Sequence, residues 1–260
     1  MESRQVNIIS NVKVSERYWH MTVDISNINE TIEPGQFFNL LCTDSLYPFL
    51  RRPLSVYKIN AETKSIEFLY LVKGLGTNKL TELRAGEDIN IFGPLGKGFH
   101  LEESGETILL LARGVGIATL AGLAFKAAKQ NKKIIAILSA RSQNDLLSAN
   151  YLMNLGAAVY KVTDEEGTSD IKKVENLINR LLSERKIDAF YTCGSKRLSY
   201  LIQCIANREG IPGEIALEEH MGCAMGVCFA CVCKVKIGNE IKTPRVCIDG
   251  PVFPLSQVIL

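Results

Sequence analysis

Residues 107–125 read TILLLARGVGIATLAGLAF, the most apolar stretch of this 260-residue chain. A membrane-spanning helix needs about 20 predominantly apolar residues. This stretch is marginal in length and is broken by Arg113 and by glycines at 114, 116 and 122. It reads better as a buried strand, TILLLA, a tight glycine turn, and the helix IATLAGLAFKAAKQN. The same unit recurs downstream. KIIAILSA (133–140) precedes NDLLSANYLMNLG (144–156), AAVYKVTD (157–164) precedes DIKKVENLINRLLSER (170–185), and IDAFYTCG (187–194) precedes KRLSYLIQCIANREG (196–210). Four such units predict a Rossmann-like parallel sheet with helices on both faces.

Upstream the rhythm differs. QVNIISNVKVS, YWHMTVDIS, QFFNLLC, LSVYKIN, SIEFLYLV and DINIFG are short β-rich runs separated by EPGQ, AETKS, GLGTN, AGED and GPLGKG. Closely spaced strands of this kind predict a small antiparallel barrel or sandwich. Downstream lies a cysteine-rich tail, too small to bury a core unaided. Three domains are therefore expected: residues 1–101, residues 102–212 and residues 213–260.

The composition is that of a soluble globular protein, 47% hydrophobic and 22% charged. With 30 basic and 28 acidic side chains, the net charge of +2 gives no electrostatic footprint for nucleic acid or a membrane surface. The opening MESRQVNIISNVKVSERYW has no apolar signal-peptide core, so a cytoplasmic location is expected. Thiols stay reduced there, and clustered cysteines bind metal or carry electrons more often than they form disulfides.

The cluster is HMGCAMGVCFACVCK (220–234). Cys223 is separated by four residues from Cys228, which is separated by two from Cys231; Cys247 follows at a distance. C-x4-C-x2-C with a distant fourth cysteine is plant-type [2Fe–2S] ligand spacing. The small residues Gly222, Ala224, Gly226 and Ala230 let a loop wrap closely around bridging sulfides. A zinc site more typically shows two C-x2-C pairs. Cys233 is read as a bystander, and Cys42, Cys193 and Cys204 as core residues. His20, His100 and His220 are scattered and form no ligand or nucleophile pattern.

Weaker signals sit elsewhere. FLRRPLSVY offers Arg52 to neutralise a pyrophosphate and Ser55 to bond a flavin ring edge. LYLVKGLGTNKL brings Gly74, Gly76 and Thr77 to the start of a short helix whose N–H groups suit phosphate oxygens. Gly114 and Gly116 occupy the turn where a dinucleotide pyrophosphate meets a helix, and Cys193 and Gly194 end the fourth α/β strand. Taken singly, each of these stretches also fits an ordinary turn.

In combination they resemble the ferredoxin-NADP reductase superfamily, and within it the electron-transfer subunits of two-subunit, NAD-dependent dihydroorotate dehydrogenases. The similar stretches are GQFFNL, RRPLSV, GTNKL, GPLGKGF, YTCG, LEEHMGCAMGVCFACVCK and RVCIDGPVF, and they span the whole chain. The resemblance implies FAD held by Arg52, Pro53, Leu54, Ser55, Leu69, Tyr70, Leu71, Gly76 and Thr77. It implies a [2Fe–2S] cluster on Cys223, Cys228, Cys231 and Cys247, and a nicotinamide side near Gly114, Gly116, Cys193 and Gly194. It implies a partner, an FMN-containing catalytic subunit that oxidises dihydroorotate for pyrimidine biosynthesis, in an assembly of two plus two. The electron-transfer chain would itself be inactive on dihydroorotate. Two other readings stay open: a paralogous subunit of another oxidoreductase (hydrogenase, sulfur reductase or ferredoxin-dependent transhydrogenase type), and a non-catalytic cluster-based redox sensor.

The departures from the resemblance fall on one side. Where that family has G-G-G-I-G and a proline-bearing helix start, this chain has Ala112-Arg113-Gly114-Val115-Gly116 and Ile117-Ala118-Thr119. A glycine-rich segment after the third strand is TDEEGTSDIKK here, and C-G-P after the fourth is C-G-S. These losses predict weak or absent NAD(H) binding; the competing expectation is an NADP(H) 2′-phosphate on Arg113 or Arg141.

Overall fold

Side chains alternate between interior and surface along the first strands of the computed structural model, which describes residues 2–102 and 104–260. β1 (Glu2–Lys13), β2 (Tyr18–Asp24), β3 (Phe37–Leu40), β4 (Arg52–Asn60), β5 (Ser65–Leu71) and, after the short helix α1 (Leu75–Leu80), β6 (Asp88–Leu95) close into a barrel of order β1-β2-β5-β4-β3-β6. Closure pairs every strand on both sides, so no edge is left open. Ile8, Met21, Phe38, Ile66, Phe68, Tyr70 and Ile91 fill the interior. The six β-rich runs of the sequence are these six strands.

β7 (Thr107–Arg113) then leads through a 3-10 turn at Gly114–Gly116 into α2 (Ile117–Lys129). β8 (Lys133–Ala140), α3 (Ala149–Asn154), β9 (Ala158–Thr163), α4 (Ile171–Glu184), β10 (Ala189–Cys193) and α5 (Lys196–Glu209) follow. β7 is apolar without alternation because both its faces are covered. Leu109 and Leu111 face a core shared with Ile178 and Leu181 of α4 and Ile202 and Ile205 of α5. Ile108, Leu110 and Ala112 face Leu120 and Leu123 of α2 and Leu152 of α3. Among the described residues no helix is long and apolar enough to cross a membrane.

The tail is woven into this sheet. β11 (Gly213–Ala216) runs parallel to β10, and β14 (Val252–Pro254) runs antiparallel to β11, giving the order β14-β11-β10-β7-β8-β9. Between β11 and β14 the chain forms the cysteine loop and a hairpin of β12 (Val235–Ile237) and β13 (Glu240–Lys242). Cys231, Val246 and Cys247 join the core beneath α5, and Gln203 of α5 donates to the carbonyls of Leu255 at 2.5 Å and Val258 at 2.8 Å. Cys42 and Cys193 are buried, but Cys204 is exposed, against its expected place in the core. On a helix each residue turns roughly 100°, and Leu198, Leu201, Ile202 and Ile205 take the buried face of α5.

Candidate functional site

A cleft of about 600 Å³ opens between the barrel and the α/β sheet. Its first wall is Arg52, Pro53, Leu54 and Ser55 of β4, Leu69, Tyr70 and Leu71 of β5, and Thr77 of α1. Its second is Val115 and Ala118, where β7 turns into α2, and its third is Leu217–Met221, leading out of β11. Tyr70 turns its side chain into the barrel, where the hydroxyl donates to Asn11 Oδ1 at 3.0 Å, so it offers the cleft main chain. Arg52 donates to the carbonyl of Leu50 at 2.6 Å, and its guanidinium lies against Gly76. A Cβ at residue 76 would stand 2.5 Å from Arg52 Nε. The Thr77 hydroxyl accepts from the N–H groups of Lys73 (3.0 Å) and Gly74 (3.2 Å), which fixes the turn before α1.

A line of polar groups runs behind the cleft. The Thr119 hydroxyl donates to Ser55 Oγ at 3.0 Å, the Cys193 thiol reaches Thr119 Oγ1 at 3.6 Å, and Glu218 Oε1 lies 3.9 Å from the same sulfur. Burial, and then the neighbouring Glu218 carboxylate, push the Cys193 thiol far above its ordinary range. Burial also raises the Glu218 carboxyl, against the pull of the Cys193 thiol and Lys73. Thr119 and Glu218 were not singled out from the sequence. Glu218 lies within LEEH and Thr119 within IATLAGLAF.

The carboxyl ends of β7 and β10 diverge at the topological switch of the sheet, the usual ligand crevice of open α/β folds. Here the glycines serve backbone packing. A Cβ on Gly116 would stand 2.5 Å from the Cys193 carbonyl, and one on Gly194 would collide with that of Arg113. The Arg113 side chain lies across the strand ends, donating to Ser139 Oγ at 2.7 Å and Asp164 Oδ2 at 2.5 Å. Asp164 is held below the usual carboxylate range by Arg113 and then by the Ser169 hydroxyl. Arg141 is exposed and has no ion-pair partner among the described residues.

The cysteine loop turns its main chain inward. Ala224, Gly226 and Phe229 have positive φ (55°, 81° and 56°), a region non-glycine residues rarely occupy. The N–H groups of Met225 and Cys228 each point at Cys223 Sγ from 3.4 Å. Burial raises the Cys223 thiol, but these donors and Cys228 bring it down to about 6. Burial, and then Cys231, push Cys247 up to about 12. Cys228 is thus a close neighbour of Cys223, and Cys231 and Cys223 are both neighbours of Cys247. Among the described residues no three His, Cys, Asp or Glu side chains gather to hold a single ion. The order Cys223, Cys228, Cys231 and a distant Cys247 suits a [2Fe–2S] unit better than one tetrahedral zinc. Arg245 braces the loop, donating to the Gly226 carbonyl at 3.0 Å and to Asp249 at 3.2 Å.

Residues 218–259 match the iron–sulfur cluster binding domain of dihydroorotate dehydrogenase B. Over nearly the full length, the chain is 32% identical to the electron transfer subunit of dihydroorotate dehydrogenase B (NAD(+)) of Desulforamulus reducens, covering 95% of this chain and 94% of that one. The chain belongs to this family of electron transfer subunits. The subunit of the same name from Bacillus caldolyticus is 32% identical over 98% of each chain. Among solved structures, a chain of the NADH-dependent reduced ferredoxin-NADP oxidoreductase, described for flavin-based electron bifurcation, superposes with a TM-score of 0.82 at 26% identity over 98% of this chain and 89% of that one. Ferredoxin-NADP+ reductase of Plasmodium falciparum shares the fold, with a TM-score of 0.65 at 14% identity over 82% of this chain and 96% of that one. Of the residues expected at the flavin, all but Gly76 line one cleft; Cys223, Cys228 and Cys231 share one loop, and Cys247 follows the β12–β13 hairpin.

Proposed function

We propose that this electron transfer subunit holds FAD in the cleft and a [2Fe–2S] cluster on Cys223, Cys228, Cys231 and Cys247, and serves an FMN-containing subunit that oxidises dihydroorotate. FAD exchanges single electrons with an iron–sulfur centre and a hydride with nicotinamide, which suits a converter between the two. One observation carries the reading: Met221 lines the cleft, and Cys223, the first ligand, is two residues further on. Two residues span at most about 7 Å of chain, so the two sites adjoin.

Arg52 and the free N–H groups of the first turn of α1 bind the pyrophosphate, and Ser55 meets the ring edge. Cys228 is exposed, ringed by exposed Met225, Val227 and Phe229, an apolar rim that faces the catalytic partner. The assembly is two plus two, and the chain alone is inactive on dihydroorotate. We take residues 1–101, 102–212 and 213–260 as its flavin, nucleotide-type and cluster domains, working in the cytoplasm. Gly76→Val tests the flavin assignment. Its Cβ evicts Arg52, and without that charge-assisted hydrogen bond to phosphate FAD affinity falls about tenfold or more. Equilibrium dialysis of FAD against both proteins reads this, and equal affinity would refute the role of Arg52.

On the nicotinamide side, Arg113 is already neutralised by Asp164 and lies over the strand ends. The chain alone is therefore bleached slowly by NADH in anaerobic titration. Rapid stoichiometric bleaching by NADH would sink this part, and preferential bleaching by NADPH would assign Arg141 to a 2′-phosphate. The likeness to the bifurcating oxidoreductase chain supports a second reading, a paralogous subunit of that type. Co-purification separates the two: the first requires an FMN protein that reduces this chain when dihydroorotate is added.

A further inference from the structure

We propose that Thr119 is a positioning residue whose hydroxyl fixes the direction of the Ser55 proton toward the cleft. The inference rests on the reading that FAD occupies that cleft. Thr119 is 3% exposed and is the third residue of α2. A helical threonine commonly bonds the carbonyl one turn back. Here its hydroxyl instead crosses to β4 and donates to Ser55 Oγ at 3.0 Å.

A serine hydroxyl has one proton and two lone pairs. With Ser55 Oγ accepting from Thr119, its own proton has no acceptor among the described residues and is left for whatever fills the cleft. Behind it the single proton of the Cys193 thiol faces two acceptors, Thr119 Oγ1 at 3.6 Å and Glu218 Oε1 at 3.9 Å, while the Thr119 proton is directed at Ser55. The Thr119-to-Ser55 bond thus runs from the buried helix outward to the cleft wall. A side chain without a hydroxyl at residue 119 would leave Ser55 without the donor that orients it.

The test uses the purified full chain loaded with FAD, and the variants Thr119→Val, Thr119→Ser and Ser55→Ala. A donor on the ring edge favours the electron-rich reduced flavin. Thr119→Val should therefore retain FAD but lower the flavin midpoint potential by about 30 mV, a tenfold shift in a two-electron equilibrium. It should also alter the fine structure of the visible flavin band, and Thr119→Ser should restore both. Ser55→Ala alone should give the same shift, and Thr119→Val added to it should change nothing further, as coupled partners require. An unchanged potential in Thr119→Val, or an equal further shift in the Ser55→Ala background, would overturn the inference while leaving the flavin reading intact. A wild-type chain that takes up no FAD would overturn the flavin reading itself.

Discussion

Cys247→Ser in the full chain should give a protein that keeps its flavin and holds no iron–sulfur cluster. Cys247 is fully buried and, like Cys231, lies in the core beneath α5. A serine oxygen is a harder, less readily deprotonated ligand than a thiolate, which iron–sulfur centres require. Iron and sulfide content should fall to background, and the visible cluster absorption should vanish. Reduction of the flavin by dihydroorotate through the partner should be abolished, while direct chemical reduction of the flavin persists. Cys233→Ser is the matched control. Cys233 is almost as buried and its N–H is bonded to the Pro244 carbonyl, but it stands outside the C-x4-C-x2-C spacing. That variant should retain the full cluster. Stoichiometric iron in Cys247→Ser, or its loss in Cys233→Ser, would show that the ligand set is assigned wrongly.

The second large effect is on stability. Gly194→Ala should cost about 3–5 kcal/mol, near the upper end for one substitution. Gly194 has φ +99°, and its added Cβ would collide with the Arg113 carbonyl, main chain against main chain. For a chain of this size that lowers the melting temperature by roughly 10 °C. Gly210→Ala separates strain from collision, because Gly210 has φ +68° at the end of α5 and an open space where its Cβ would go. It should cost about 1 kcal/mol. Equal melting temperatures for the two variants would mean that the turns after β7 and β10 are not locked together.

The barrel was legible because its short β-rich runs are bounded by turn residues and strands such as β6 alternate their burial, although β3 is buried throughout. The α/β units were legible because β7 and β8 are covered on both faces and read as uninterrupted apolar runs. β11 and β14 were not legible. They are four and three residues long, too short for any period to register, and they pair only because the cysteine loop returns to the sheet. The proposed cluster ligands stood out by spacing alone, since a cluster dictates the order of its cysteines. Arg52 and Ser55 needed their neighbours before they meant anything. Thr119 and Glu218 could not be found by pattern, because their partners Ser55 and Cys193 lie far off in sequence. Cys204 was misjudged because residue type carries no information about which face of a helix it occupies.

The return of the chain to the sheet has a kinetic consequence. The cysteine loop departs from Ala216 and rejoins at Val252, and those two residues are register partners on adjacent strands. A loop anchored at both ends to one rigid frame has no swivel. The separation between the cleft and the loop is then set by hydrogen bonds of a sheet and does not wait on diffusion of one lobe toward another. Internal electron passage should accordingly be insensitive to solvent viscosity, and only the meeting with outside carriers should slow in glycerol.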